Sequence, residues 1–282
     1  MNDNYKEFTL TRTIFFISDG TGITAETLGR SLLSQFDMLS FEYQTIPYVN
    51  TKAKVKQTIA CIEQAYKNDG ERPIIFATLI NKNISQLLQK SSALFMDFFQ
   101  QFINPLENEL GHKSTHMVGL SHGVKNYTDY MKRINAVNYA LAYDDGANTT
   151  NYDKADIILV GVSRCGKTPT CLYLALQFGI YAANYPLTTD DMTSTKLPAC
   201  LANYRKKLFG LSIDANRLQI IRHERRPNSV YASLKTCKDE LKYAENLFHD
   251  EKIPYLETTT RSIEEIAAEI MILTHIKRRL SI

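Results

Sequence analysis

The sequence predicts an α/β protein of two domains: an N-terminal α/β domain, and a C-terminal domain with a P-loop-type parallel sheet flanked by helices. Three observations predict it. Short runs of β-branched and aromatic residues alternate with segments of helical period in both halves, as β-α-β units on a parallel sheet require. The alternation breaks near the middle, where glycines and polar residues gather, and then restarts. The restart carries the octet Gly161-Val-Ser-Arg-Cys-Gly-Lys-Thr168 between an apolar run and a helical segment.

In the first half, residues 13–18 (TIFFIS), 41–49 and 73–79 read as strands, with helices over 25–36 and 52–67 between them. One helical stretch is expected over 83–110. Residues 111–127, with Gly111, Gly119 and Gly123, are irregular, so the linkage falls in 111–151, with a helix over 130–142 inside it. The expected domains are 1–145 and 146–282. In the second half, 156–161 (DIILVG) reads as a buried strand and 167–178 as a helix. Residues 180–186, 208–213 and 254–258 read as further strands, and 231–248 as a charged helix. Ser262-Ile-Glu-Glu265 is a capping-box pattern opening a last helix through residue 276.

A chain of 282 residues fits one large or two ordinary domains. Lys and Arg total 33 against 30 Asp and Glu, a formal charge of +3. Charge of that size argues for neither a nucleic-acid nor a membrane partner. The five cysteines, Cys61, Cys165, Cys171, Cys200 and Cys237, form no C-x-x-C pair. Reduced thiols in the cytoplasm are therefore expected. Residues 1–7 lack a signal-peptide pattern, and no apolar run approaches the ~18–20 residues of a membrane helix. The sequence leaves a homodimer open.

The octet matches G-x-x-x-x-G-K-[ST], and each part has a physical task. Gly161 and Gly166 let the backbone of Val162, Ser163, Arg164 and Cys165 bend so that successive N–H groups face one phosphate cluster. The following helix turns its positive N-terminal end toward the same anion. Lys167 would reach the transferring phosphate, and Thr168 would hold Mg²⁺. Lys167 is expected to face solvent, so that its loss leaves the fold intact.

Such a loop needs an acidic partner. Asp190 and Asp191 follow the strand at 180–186, near the carboxyl edge of the sheet. Asp214 ends the apolar run at 208–213, and as an alternative it caps a helix over 215–225. Arg222, Arg225 and Arg226 cluster near His223. Guanidinium groups suit phosphate oxygens, whereas the plain alternative is a solvated helix end. His112, His116 and His122 are close in sequence, but Gly111 and Gly119 argue against the long helix that a His-x3-His metal site would use.

In the first half, Ser18-Asp19-Gly20-Thr21-Gly22-Ile23-Thr24-Ala25 joins a strand to a helix. Gly20-x-Gly22-x-x-Ala25 is a loose dinucleotide fingerprint, with Glu42 twenty residues beyond Gly22. Glu42 comes early in its strand, so it should sit at the wrong sheet edge for a ribose. The turn is either a hydroxyl-capped β-α connection or a second phosphate or target site formed by Ser18, Asp19, Gly20, Thr21, Gly22 and Thr24. The N-terminal domain is expected to support target recognition or catalysis and not to bind NAD.

Several longer segments occur in one order: Phe16-Ile-Ser-Asp-Gly-Thr-Gly-Ile-Thr-Ala-Glu26, Asn138-Tyr-Ala-Leu-Ala-Tyr-Asp-Asp-Gly146 and Gly161-Val-Ser-Arg-Cys-Gly-Lys-Thr-Pro-Thr170. They continue with Ala183-Asn-Tyr-Pro186, Lys207-Leu-Phe-Gly-Leu-Ser-Ile-Asp214 and Glu224-Arg-Arg-Pro-Asn-Ser229. In these the chain resembles, over nearly its whole length, the bifunctional regulatory proteins of phosphoenolpyruvate synthase and pyruvate, phosphate dikinase, and most closely the bacterial phosphoenolpyruvate synthase branch. Gly22 and Pro227 depart from the pattern, and neither touches the octet. The resemblance implies a serine/threonine kinase that uses ADP as phosphoryl donor and inactivates phosphoenolpyruvate synthase by phosphorylating a threonine. It also implies the opposing phosphorylase activity, in which inorganic phosphate removes that group as pyrophosphate. A small-molecule kinase of the nucleotide- or shikimate-kinase type is a rival, although it needs no large N-terminal domain. A non-catalytic nucleotide-regulated binding module is another, and an acidic residue at the loop favours the enzyme over it.

Overall fold

The computed structural model describes residues 11–116, 127–146, 148–194 and 196–280. The protein is α/β and divides into two compact units, 1–123 and 124–282, each with one four-stranded parallel sheet.

The first unit runs β1 (Arg12–Ser18), α1 (Ile23–Leu33), β2 (Phe41–Ile46), α2 (Lys52–Asp69), β3 (Ile74–Thr78), α3 (Lys82–Leu88), β4 (Leu94–Asp97) and α4 (Phe98–Leu110). Its strand order is β2-β1-β3-β4. Ile14, Phe15, Phe16 and Ile17 of β1 are all fully buried. Successive side chains leave a strand on opposite faces. Phe15 and Ile17 accordingly pack with Val55 and Ile62 of α2, whereas Ile14 and Phe16 pack with Ala25 and Leu33 of α1. Burial on both faces is why this strand reads as an unbroken apolar run.

One expectation changes here. The helix expected over 83–110 is interrupted, and Leu94–Asp97 forms β4, which pairs with β3 in the register Ile74↔Leu94. Asp97 closes the strand by capping α4, accepting from the amides of Phe99 and Gln100 at 3.0 and 3.2 Å. Its buried carboxyl is pushed above the usual carboxylate range by desolvation, against the pull of the Ser85 hydroxyl.

The second unit runs α5 (Tyr127–Ala142), β5 (Ile157–Gly161), α6 (Lys167–Phe178), β6 (Ala182–Pro186), β7 (Leu208–Ser212), α7 (Ala215–Arg225), α8 (Leu234–Asp250), β8 (Tyr255–Glu257) and α9 (Ile263–Thr274). The order is β6-β5-β7-β8. All of β5 is buried, and Ile157, Ile158, Leu159 and Val160 lie in one cluster with Leu174 of α6, Leu247 and Phe248 of α8 and Ile270 of α9. The Ser262–Glu265 capping box is formed at the start of α9. Helix α5, placed by the sequence before residue 146, packs on α6 and β6 within this unit.

Both sheets thus share one order: second, first, third, fourth strand. In such sheets the chain leaves the first strand and the third in opposite directions, and a crevice opens outside their carboxyl ends. In the second unit that crevice lies beyond β5 and β7. All five cysteines are free thiols. The Nδ1 atom of His112 lies 2.8 Å from the Leu110 carbonyl oxygen, and His116 lies 3.8 Å from Glu107. Residues 1–7, Gly119, Gly123 and His122 lie outside the described residues. Among the described residues no helix is long and apolar enough to cross a membrane.

Candidate functional site

The loop from β5 to α6 stands at that crevice. A Cβ on Gly161 would lie 2.4 Å from the backbone oxygen of Leu211 in β7, so only glycine lets the two strands approach there. Gly166 precedes α6 with φ 91°, a left-handed conformation that costs glycine nothing, and no side chain caps the helix's first turn. Arg164 also has positive φ, 77°, in a loop held from several sides. Its Cys165 carbonyl accepts from Thr258 beyond β8 at 3.3 Å, and its Ser163 carbonyl accepts from Arg222 at 3.1 Å.

Lys167 is the first residue of α6. It is 4% exposed and not solvent-facing as expected, because its ammonium turns under the loop and donates to the Val162 carbonyl at 2.7 Å. Thr168 follows, and its hydroxyl donates to Asp144 Oδ1 at 2.8 Å. Asn184 Nδ2 joins both, donating to Asp144 Oδ1 at 2.5 Å and to Thr168 Oγ1 at 3.0 Å. Asn184 Oδ1 is buried with no hydrogen-bond donor.

Asp144 and Asp145 reach this place through backbone pairing. The Asn184 amide donates to the Tyr143 carbonyl at 3.0 Å, and the Gly146 amide donates to the Asn184 carbonyl at 2.9 Å. The segment therefore runs along β6 and turns at Asp145, φ 54°. A cleft of about 280 Å³ results, lined by Asp145, Ser163, Arg164, Lys167, Thr168 and Asn184 among others. A helix N-terminus, a lysine and a hydroxyl converge on it, which suits an anion such as a phosphate chain.

The expected acids lie elsewhere. Asp191 Oδ2 accepts from the amide and hydroxyl of Thr188, both at 2.9 Å, and its Oδ1 accepts from Tyr185 at 3.1 Å. Asp190 sits on the exposed turn beside it. Neither lines the cleft. Asp214 caps α7, accepting from the amides of Asn216 and Arg217 at 2.9 and 3.0 Å. The Arg217 amide above all holds its carboxyl below the usual range, with burial opposing.

The arginine cluster divides. Arg222 is fully buried; it donates to Ser163 O, to Tyr231 O at 3.1 Å and to Glu240 Oε2 at 2.5 Å, and it stacks on the Tyr231 ring. It braces the loop from behind. Arg225 and Arg226 are exposed at the end of α7.

In the first unit, Ser18 accepts from the Gly20 amide at 3.0 Å and donates to the Thr78 carbonyl at 3.2 Å. Asp19 Oδ2 accepts from the Ile80 amide at 2.7 Å. Thr21 is exposed and Thr24 half-buried, and Gly22 precedes α1 with φ 85°, again without a side-chain cap. Glu42 pairs with Thr13 near the amino ends of β2 and β1, away from that turn.

The sequence profile of the kinase/pyrophosphorylase family matches residues 14–271, which take in most of each unit and the whole cleft. The chain belongs to the kinase/pyrophosphorylase family. It is 55% identical over 269 residues to a protein of Stutzerimonas stutzeri (strain A1501), covering 95% of this chain and 99% of that one. It is 53% identical over 269 residues to one of Hahella chejuensis (strain KCTC 2396), with the same coverage. It is 54% identical over 268 residues to one of Pseudomonas aeruginosa (strain LESB58), covering 95% and 98%. All three carry the provisional name phosphoenolpyruvate synthase regulatory protein. The match bears out the family resemblance of the sequence segments.

Sequence spacing singled out neither Asp145, which lines the kinase/pyrophosphorylase cleft, nor Asp144, which holds the lining residues Thr168 and Asn184. Asn138–Gly146 was conspicuous as a segment, but nothing in its spacing places it beside residues 161–168.

Proposed function

We propose that this kinase/pyrophosphorylase is a bifunctional regulator of phosphoenolpyruvate synthase. It transfers the terminal phosphoryl group of ADP to a threonine of that enzyme, inactivating it. It reverses the modification with inorganic phosphate as acceptor, releasing pyrophosphate. The proposal takes its target from the relatives' names and its donor and acceptor from the family resemblance. The observation that carries it on the physical side is the cleft at the start of α6, where Lys167, Thr168 and a carboxylate share one opening.

Residues 161–168 act in this proposal as a P-loop. The loop amides and the N-terminus of α6 bind the diphosphate, and Lys167 exchanges its Val162 carbonyl for the transferring phosphoryl oxygens. Mg²⁺, a hard cation that takes oxygen ligands, fits the oxygen-rich surroundings, where Thr168 Oγ1 would hold it and Asn184 Oδ1 lacks a donor. When bound, it would neutralise phosphate charge. Asp144 orients the Thr168 hydroxyl. One anionic site serves both directions, with positioning and charge neutralisation supplying most of the catalysis.

The test is direct. The protein is incubated with ADP and purified phosphoenolpyruvate synthase, and phosphothreonine is sought by mass spectrometry. Phosphate is then added and pyrophosphate measured. Absence of phosphothreonine with ADP, under conditions where the protein binds ADP, rejects the proposal.

A further inference from the structure

We propose that Pro169 and Ile221 form a nucleoside-contacting wall in the cleft, which lets it hold a nucleoside diphosphate in preference to pyrophosphate. This rests on the ADP-dependent activity proposed above.

Among the described residues, every side chain lining the cleft is polar or charged except those of Pro169 and Ile221. The two come from different helices. Pro169 is exposed in the first turn of α6, one residue beyond Thr168. The first amides of a helix have no partner within it. The Thr170 amide already donates to the Gly166 carbonyl at 3.2 Å, and Pro169 has no N–H. The donors that α6 offers to an anion therefore end at Thr168, and an apolar ring follows them.

Ile221 is half-buried on α7. Leu218, one turn earlier, is fully buried, and Arg222, the next residue, donates to the Ser163 carbonyl at 3.1 Å. Helix α7 is thus tied to the loop between β5 and α6. Ile221 packs on the core of the second unit and also borders the cleft.

An apolar wall gains from burying apolar surface. Phosphate groups offer it none, whereas the sugar and base of ADP do. Pyrophosphate carries the same two linked phosphates without those rings. Lys167, Thr168 and the first amides of α6 would hold both ligands alike. The product of the phosphorylase direction would then compete with the donor of the kinase direction. Burial of the nucleoside against Pro169 and Ile221 separates the two.

Affinities for ADP and for pyrophosphate are measured by calorimetry on the parent, Ile221→Asn and Pro169→Ala, with melting curves and both activities on purified phosphoenolpyruvate synthase. The parent should bind ADP more tightly than pyrophosphate. In Ile221→Asn that preference should fall about tenfold, as loss of about half the burial of a large apolar side chain implies. Pro169→Ala, at an exposed site, should lower the same preference by about threefold or more, so the test does not depend on how well Ile221→Asn folds. The KM for ADP should rise in step, and the KM for phosphate should move by less than about threefold, since no nucleoside takes part in that direction. Equal losses for the two ligands in Pro169→Ala, or in an Ile221→Asn that melts like the parent, overturn the inference. So does an unchanged preference in both variants. A raised KM for the target enzyme with ADP affinity intact also overturns it, and makes the wall a contact for the protein substrate. In each of these cases phosphoryl transfer from ADP by the parent stands. A parent that moves no phosphoryl group from ADP overturns the functional proposal and this one together.

Discussion

Thr168 and Asp144 are joined by a hydrogen bond of 2.8 Å between residues 24 apart in sequence. The bond ties the first turn of α6 to the segment leading out of α5. The hydroxyl therefore has a fixed orientation, set by a carboxylate that is itself held by Asn184.

Asp144→Asn keeps the shape and removes the charge. A hydrogen bond to a charged group contributes about 1.5–3 kcal/mol. The affinity for ADP measured with Mg²⁺ should therefore fall roughly tenfold or more, given about 1.4 kcal/mol per factor of ten. Calorimetry with and without Mg²⁺ checks it, and the loss should be largest with the metal.

Lys167→Met tests the loop. Methionine fills similar space and leaves no buried ammonium to satisfy, so the stability cost should be limited to the orphaned Val162 carbonyl, about 1–3 kcal/mol. ADP-driven transfer should fall by at least about 10²-fold, as when one pre-positioned donor to developing charge is removed. A melting curve and a phosphothreonine assay on the same preparation separate the two effects.

Arg222 should behave as a brace. Replacing it with Met strands Glu240, whose side chain is 13% exposed, and two backbone carbonyls. Breaking such a pair costs about 3 kcal/mol or more, read as a shift in the urea midpoint. Lysine should not restore it, since one ammonium cannot reproduce the guanidinium fork. Arg225→Ala and Arg226→Ala should each stay within about 0.5 kcal/mol of the parent.

Asp214 supplies a pH test. Its folded carboxyl titrates below the ordinary value, mainly through the Arg217 amide, so the ionised cap stabilises the fold above the ordinary carboxylate range. That contribution is lost as pH falls through the lowered value. Asparagine caps helices about as well and does not titrate. The parent's advantage over Asp214→Asn should therefore disappear on acidification, as urea midpoints across pH would show, and phosphothreonine formation at neutral pH should not change.

Local features of the fold were legible because they are local. The apolar runs of β1 and β5, the Ser262 capping box and the octet at residues 161–168 all depend on neighbours a few positions away. Strand β4 was not legible, because four residues pair only when β3 lies beside them. Lys167 looked solvent-facing until the loop placed the Val162 carbonyl beneath it. Asp144 and Asp145 reach the cleft through backbone pairing with Asn184, a relation that side-chain spacing does not carry. Asp191 and Arg222 had the right chemistry but are engaged by Thr188 and Tyr185 and by Ser163, Tyr231 and Glu240, and Asp190 lies on an exposed turn outside the cleft.

The shared strand order also decides which backbone each sheet leaves unpaired. One border of each is a very short strand, four residues in β4 and three in β8. At the other border of the first sheet, β2 exposes Glu42, Gln44 and Thr45. Brief or polar borders are poor templates for a neighbouring copy to extend. The apolar runs 14–17 and 157–160, of the kind that aggregates when exposed, lie in central strands paired on both sides. Colloidal stability then depends on keeping the border neighbours of β1 and β5 attached, and light scattering during mild heating should rise only after β2 or β6 has peeled away.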